Sequence, residues 1–435
     1  MADNTSGDRL REGFLSPEPI FRPAPFWSWN SVMEHGEIRK QINDFKEHGF
    51  GGAFAHARAG LITEYLSEEF FDAFRCALEE SRKIGNLLYM YDENTWPSGF
   101  AGGLVCEREG EENVVGDIAK SRIVDGADPK FHGKVIRAAE WFEGDVLGRD
   151  LTDVPVEEWG KYAEKVFVIY LYPPRGGLGC GGHPYIDVMN RRATDAFLEI
   201  TYDEYYKRFG KDFGTLIPAS FSDEANIDSE GLDTVPFSDI VKKRFFELSG
   251  YPLERNIQIV IRDVTFKDGS MPFDRPPEKV RFDYFRTLHT LWIENFVRPI
   301  TDWCDRHNIA WTGHDIEHQW PQAHGGRIAP SEQHTYMYRQ WPGLDLLLCD
   351  HLRDYPTEFD KLEMIEIRSA ANQFKKERTL CEAYGAGGYH STTDDYKRMG
   401  DYLLVNGINF FVPHLTLFSY MGQRKRDCPQ SFDYR

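Results

Sequence analysis

Carboxylates, histidines and tryptophans sit at the ends of short apolar runs along this chain: Trp27, Trp29 and Asn30; His56 and Arg58; Asp92 and Glu93; Asp223 and Glu224; His314, Asp315, Glu317 and His318; Asp350 and His351; Glu382; His414. A loop end is polar by default, so no single member carries meaning. The repetition does, if one fold brings the loops together. Cleaving a glycosidic bond takes two carboxyl groups, one to protonate the leaving oxygen and one to activate water or attack the sugar. Glu224, in SFSDEAN, and Glu382, in TLCEAYG, form the first candidate pair, with Glu317 and Asp223 in reserve. Around them, His56, Arg58, Asp92, Glu93, Asp223, His314, Asp350 and His414 could bind sugar hydroxyls, and Trp27, Trp29 and Trp96 could stack on sugar rings.

Two motifs need separate weighing. In GHDIEH, the residues His314, Glu317 and His318 match H-x-x-E-H, a zinc-hydrolase pattern that requires both histidines on one helical face. Here the motif leaves an apolar strand and runs into Trp320-Pro321, which disfavours a helix. Zinc is therefore the alternative, and a divalent ion at His314, Asp315 or Glu317, with Asp315 and Glu317 as the ligands of choice, is the preferred metal reading. In WPSGFAGG, Pro97 and the glycines at 99, 102 and 103 make a tight loop whose backbone can approach a ligand, with Trp96 beside it.

What could hold these residues together is an alternation of short strands and helices, the pattern of a parallel sheet with crossover helices. Eight strands are expected: 26–29, 52–56, 87–91, 216–221, 309–313, 346–349, 379–383 and 410–413. Ser31 with Glu34, Ser67, and Ser391 with Asp394 are expected helix caps, and Gly49, Gly85 and Gly407 the matching stops. The fold class is thus α/β, a (β/α)₈ TIM barrel over 20–435, with 1–19 as a lead-in and a β-rich insertion at 104–187 after the third strand. Active sites in such barrels lie at the C-terminal strand ends, where these polar residues fall. After the eighth strand no helical periodicity follows, so closing elements are expected beyond the residues given.

Composition narrows the partners. Seventy acids against 51 bases give a formal charge of −19, which repels nucleic-acid phosphates and anionic lipid. No run reaches the ~18 apolar residues of a membrane span, and MADNTSGDRLREGF has no apolar signal core. The expectation is a cytoplasmic protein as given, or a secreted or periplasmic one if a leader has been removed. Seven cysteines without a CxxC pair point to reduced thiols. Oligomeric state leaves no signature.

The stretches PFWSWN, GFGGAFAHARAGLITEYLS, YDENTWPSGFAGG, SFSDEAN, CEAYGAGG and GQRKRDCPQS resemble glycoside hydrolase family 106, the α-L-rhamnosidases, over most of residues 20 to 435. That resemblance implies a barrel, hydrolysis of α-L-rhamnosides or similar linkages with inversion, and a bound calcium ion. It implies Glu224 as a catalytic carboxylate, with Glu317 or Glu382 as its partner or a calcium ligand. Members of that family are usually longer, secreted or periplasmic proteins. A barrel that binds carbohydrate without cleaving it is the competing class; it would keep the aromatics and lose a carboxylate.

Overall fold

The computed structural model describes residues 4–176, 181–227, 233–269, 273–315, 332–347, 358–387 and 391–427, without the side chains of 4–6 and 358–363. Its main sheet is a (β/α)₈ barrel of parallel strands: Phe26–Trp29, Gly52–Ala57, Leu87–Asn94, Ala219–Ala225, Ala310–Asp315, Trp341–Leu346, Leu380–Ala383 and Phe410–Pro413. The eighth strand is broken. Phe410–Pro413 pairs with the seventh strand, and the short continuation Thr416–Leu417 pairs with the first, which closes the ring.

Inside the barrel, Phe26, Phe54, Tyr89, Tyr91, Phe221 and Phe410 pack as one cluster, from the strand faces opposite to those the helices cover. Outside it, helices follow the strands. Ser67 caps the second helix, accepting the Phe70 N–H, and Gly85 ends it at φ 67°. Two expected caps are displaced. The first helix starts at His35 with Glu34 at its cap, and the seventh is opened by Thr392 with Asp395, one residue after the expected pair. Two strands also differ from expectation. The fourth runs on to Ala225, so its acids lie within the strand, and the sixth begins five residues early, at Trp341. Pro342 reads as a strand breaker in sequence, yet it sits one residue from this strand's start, where proline is tolerated.

Between the third strand and its helices rises a second sheet, with antiparallel strands Ile118–Asp125, Val135–Phe142, Val146–Asp150 and Lys165–Tyr172. It has its own core around Trp159, Leu151 and Val168. This sheet draws on more chain than 104–187, because Thr234–Pro236 and Thr265–Phe266 add its edge strands from beyond the fourth barrel strand. No helix among the described residues is long and apolar enough to cross a membrane.

Trp27 and Trp29 lie in the layer between barrel and helices and not in the mouth, which removes them as sugar platforms. Both are fully buried, against Phe45 and Phe70 respectively, and the Trp27 indole N–H donates to Gln41 Oε1 at 2.7 Å. Period-two alternation explains it: Phe26 and Ser28 take the inward positions. Trp27→Phe is expected to cost about 1 kcal/mol of stability through the lost hydrogen bond, read as a lower denaturant midpoint, and to leave KM unchanged.

Candidate active site

At the C-terminal end of the barrel the inward positions carry His56, Tyr91, Asp223, His314, Asp345, Glu382 and His414, all buried. Alternation alone places six of them. Glu224 breaks the pattern. His314 stands opposite Asp223 and Asp315 opposite Ala225, so Glu224 is the extra residue of a β-bulge, at φ 46°. A bulge re-aims one side chain, and a non-glycine residue held at positive φ costs free energy that commonly marks a functional position. Here it brings two successive acids to one site: Asp223 groups with His314 and Glu382, and Glu224 with His314 and Asp345, the atoms of each group within 4.8 Å of one another.

His314 is the hub. Its Nε2 lies 2.7 Å from Glu382 Oε2 and 3.7 Å from Asp223 Oδ1, and its Nδ1 faces the Asp315 carbonyl at 3.2 Å. Burial pulls its pKa down, but the hydrogen bond to Glu382 and the charges of Asp223, Glu382 and Asp345 hold it well above the ordinary histidine value. That favours its charged form, which can donate to Glu382 and to the Asp315 carbonyl. Glu382 moves the other way from a typical surface acid: burial, then the Asp223 charge, push its carboxyl up to about 7 against the pull of His314. His414 Nε2 lies 3.5 Å from Glu382 Oε1. Gly385 makes room for that ring, since a Cβ there would meet His414 Nδ1 at 2.2 Å.

Tyr91 donates its hydroxyl proton to Asp223 Oδ2 at 2.6 Å, and the His56 ring stacks on Tyr91 at 3.6 Å between centroids. Burial, then Arg58, holds both His56 and His414 well below the usual value, so both are neutral. Arg58 is itself buried, gripped by Asp427 through bonds of 2.7 and 3.1 Å, and its guanidinium lies 4.5 Å over the ring of Trp96. Trp96 is 41% exposed, which leaves ring surface for a ligand at the rim.

Several expected site residues have other work. Asp92 points out of the barrel, where Ser98, Tyr202 and Ser222 donate to it; its side chain is used up in the wall. Burial raises that carboxyl to about 6 despite these donors. Glu93 accepts five backbone N–H groups, from Asn94, Gly99, Phe100, Ala101 and Gly102, and so shapes the WPSGFAGG loop from within. Positive φ at Gly99, Ala101 and Gly102 lets those N–H groups converge, a backbone anion nest filled by the protein's own carboxylate. Ser98 in turn clamps Asp223, bonding both its N–H and its carbonyl.

Asp315 does not fit calcium. Its carboxylate is paired with Arg339 at 2.5 Å, both are buried, and the guanidinium over Trp311 would repel a second cation. No step is therefore derived through that ion. The zinc alternative also loses its premise, because His314 lies on a strand and its Nε2 is engaged with Glu382. Glu317, His318, Asp350 and His351 fall outside the described residues. Reading the sequence missed Asp345, through the late sixth strand. The signal was present: in Leu344-Asp345-Leu346 a lone acid alternates with leucines, so it must face away from them.

No family model matches the chain, and no curated protein does. Among solved structures it is similar to the rhamnosidase from Novosphingobium sp. PP1Y, at TM-score 0.62 and 14% identity over 95% of this chain. That match spans 57% of the rhamnosidase chain. Looser likenesses are to the catalytic domain of a β-amylase from Paenibacillus polymyxa, at TM-score 0.46, 10% identity and 94% and 96% coverage, and to an endo-1,4-β-mannanase from Rhizomucor miehei, at 0.43, 8%, and 90% and 85%. At these identities the first likeness establishes the barrel alone, and the other two carry no argument.

Proposed function

We propose that this chain is a glycoside hydrolase that removes terminal α-L-rhamnosyl or similar sugar residues by carboxylate acid/base catalysis with inversion. One observation carries the reading: four acids, Asp223, Glu224, Asp345 and Glu382, converge on His314 at the barrel mouth. A barrel that only binds sugar has no use for that expense of buried charge. The motifs that resemble glycoside hydrolase family 106 support the choice of sugar.

Glu382 is the proton donor. His314 holds its Oε2, Oε1 beside His414 meets the leaving oxygen, and a carboxyl raised to about 7 is still about half protonated at neutral pH, where an ordinary glutamate is ionised. Glu224, half-buried on its bulge, is the base that activates water. Asp223, bonded by Tyr91 and near His314, stabilises positive charge developing on the sugar. It is too close to Glu382 to admit a water between them, since inversion takes a gap of ~6.5 to 9.5 Å.

The test is a screen of aryl glycosides, α-L-rhamnoside included, followed by NMR of the first sugar released. Inverted configuration is expected; retention would make Glu382 or Asp223 a nucleophile, and no hydrolysis of any glycoside would overturn the proposal. The pH profile follows from the acid. Glu382 works protonated, so kcat/KM is expected to fall as pH rises through about 7.

A further inference from the structure

A second concavity opens beside these carboxylates, a cavity of about 270 Å³ between the barrel mouth and the insertion. Its near wall is Pro97 and Asn226. Pro97 adjoins Ser98, the clamp on Asp223, and the Asn226 side chain donates to the Glu224 carbonyl at 2.7 Å. Cavity and catalytic acids thus share one stretch of backbone. The buried part of the other walls comes largely from Ile118, Ile186, Val188 and Met189, with the charged side chains of Asp117 and Arg175 confined to the exposed part of the lining.

We infer that this cavity seats the departing alcohol, and that it selects an apolar aglycone, an aryl or compact aliphatic alcohol, over a second sugar. This rests on the glycosidase reading above and narrows its substrate. A pyranose brings several hydroxyls that each need a partner once buried. The buried polar groups here are already engaged: Asp187 accepts from the Met189 N–H at 2.9 Å and is bonded by Ser238, and Asn226 is held by Glu224. A branched aliphatic wall with a few fixed polar atoms instead suits an apolar body carrying one hydroxyl. That one hydroxyl is the leaving oxygen itself, which Glu382 protonates, and Asp187 keeps the partners it has. Gly116 leaves space for its carboxylate, since a Cβ at 116 would lie 2.8 Å from Asp187 Oδ2.

The experiment has two arms. In the first, 2-naphthol is titrated into the protein by calorimetry, and into the variants Ile118→Trp and Met189→Trp, which fill the cavity from two separate segments of the chain and whose folding is checked by circular dichroism. Saturable binding to the native protein, weakened at least ~10-fold in whichever variants fold, is expected. In the second, 2-naphthyl and methyl glycosides of the same sugar are compared. The tryptophan variants should raise KM for the naphthyl glycoside about 10-fold and leave the methyl glycoside unchanged. If 2-naphthol does not bind, or binds the variants equally well, the cavity assignment is wrong even where hydrolysis proceeds. Equal KM changes for both glycosides also overturn it. If naphthol binding behaves as expected and no glycoside is cleaved, the ligand class stands, and the hydrolase reading, with the leaving-group role, falls.

Discussion

Exchanging Glu382 for glutamine is expected to lower turnover on an unactivated glycoside by about 10² to 10⁴, the usual worth of a positioned acid. The amide keeps the shape of the side chain and can still bond His314, but it has no proton to deliver. Aryl glycosides with good leaving groups need less protonation and should recover part of the rate. Glu224→Gln should lose a similar factor without that recovery, because a base is required whatever leaves. The paired result separates the two roles. The glutamine at 382 also withdraws a charge from beside His314, so its imidazolium should titrate lower, visible in its ring proton shifts. Near wild-type turnover in Glu382→Gln would remove this residue from the mechanism.

Glu93→Leu is expected to be the costliest substitution for stability, at about 3 to 5 kcal/mol. Five buried or half-buried N–H groups lose their acceptor together, and each unsatisfied donor costs ~1 to 3 kcal/mol before the loop relaxes. Relaxation lowers that cost by exposing the loop to water, and this carries a second consequence. Ser98 clamps Asp223 from the same loop, so kcat should fall as well although Glu93 touches no substrate. A urea titration with an unchanged midpoint would show that the loop holds its shape without the carboxylate.

Much of this arrangement was legible before any coordinates. The strand-and-helix alternation identified the barrel, and six of the eight strands overlap their expected positions by most of their length, while the fourth starts three residues later than expected. The sixth missed because LDLLLC is a stronger apolar run than the true strand, in which proline and glycine stand among the first three residues. The site was read less well, for a reason that lies in the strand period. Adjacent residues at a strand end point to opposite sides, so Tyr91 and His314 face the mouth while Asp92 and Asp315 face the helices. Treating every polar residue after a strand as a site residue ignored that rule. Applied strictly, it would have rejected Trp27, Trp29, Asp92 and Asp315, and also Glu224, which the structure nonetheless groups with His314 and Asp345. The bulge that saves Glu224 has no glycine to announce it. Nor could sequence pair Arg58 with Asp427, which are 369 positions apart.

The break in the eighth strand bears on how the chain reaches its native state. The ring joins only when Thr416 and Leu417 meet Trp27 and Ser28, and the same seam is tied by Asn30 to Ser419, 389 positions along. Contacts of such separation are slow to form, because loop entropy must be overcome before they return any stability. During synthesis the first strand therefore waits with an unpaired edge until nearly all of this sequence has emerged, and three of its four residues are phenylalanine or tryptophan. An open apolar edge of that kind invites pairing with other chains. A protein ending before residue 416 should consequently be recovered as aggregate, and the yield of soluble material should rise with slower synthesis or a chaperone that shields the strand Phe26–Trp29.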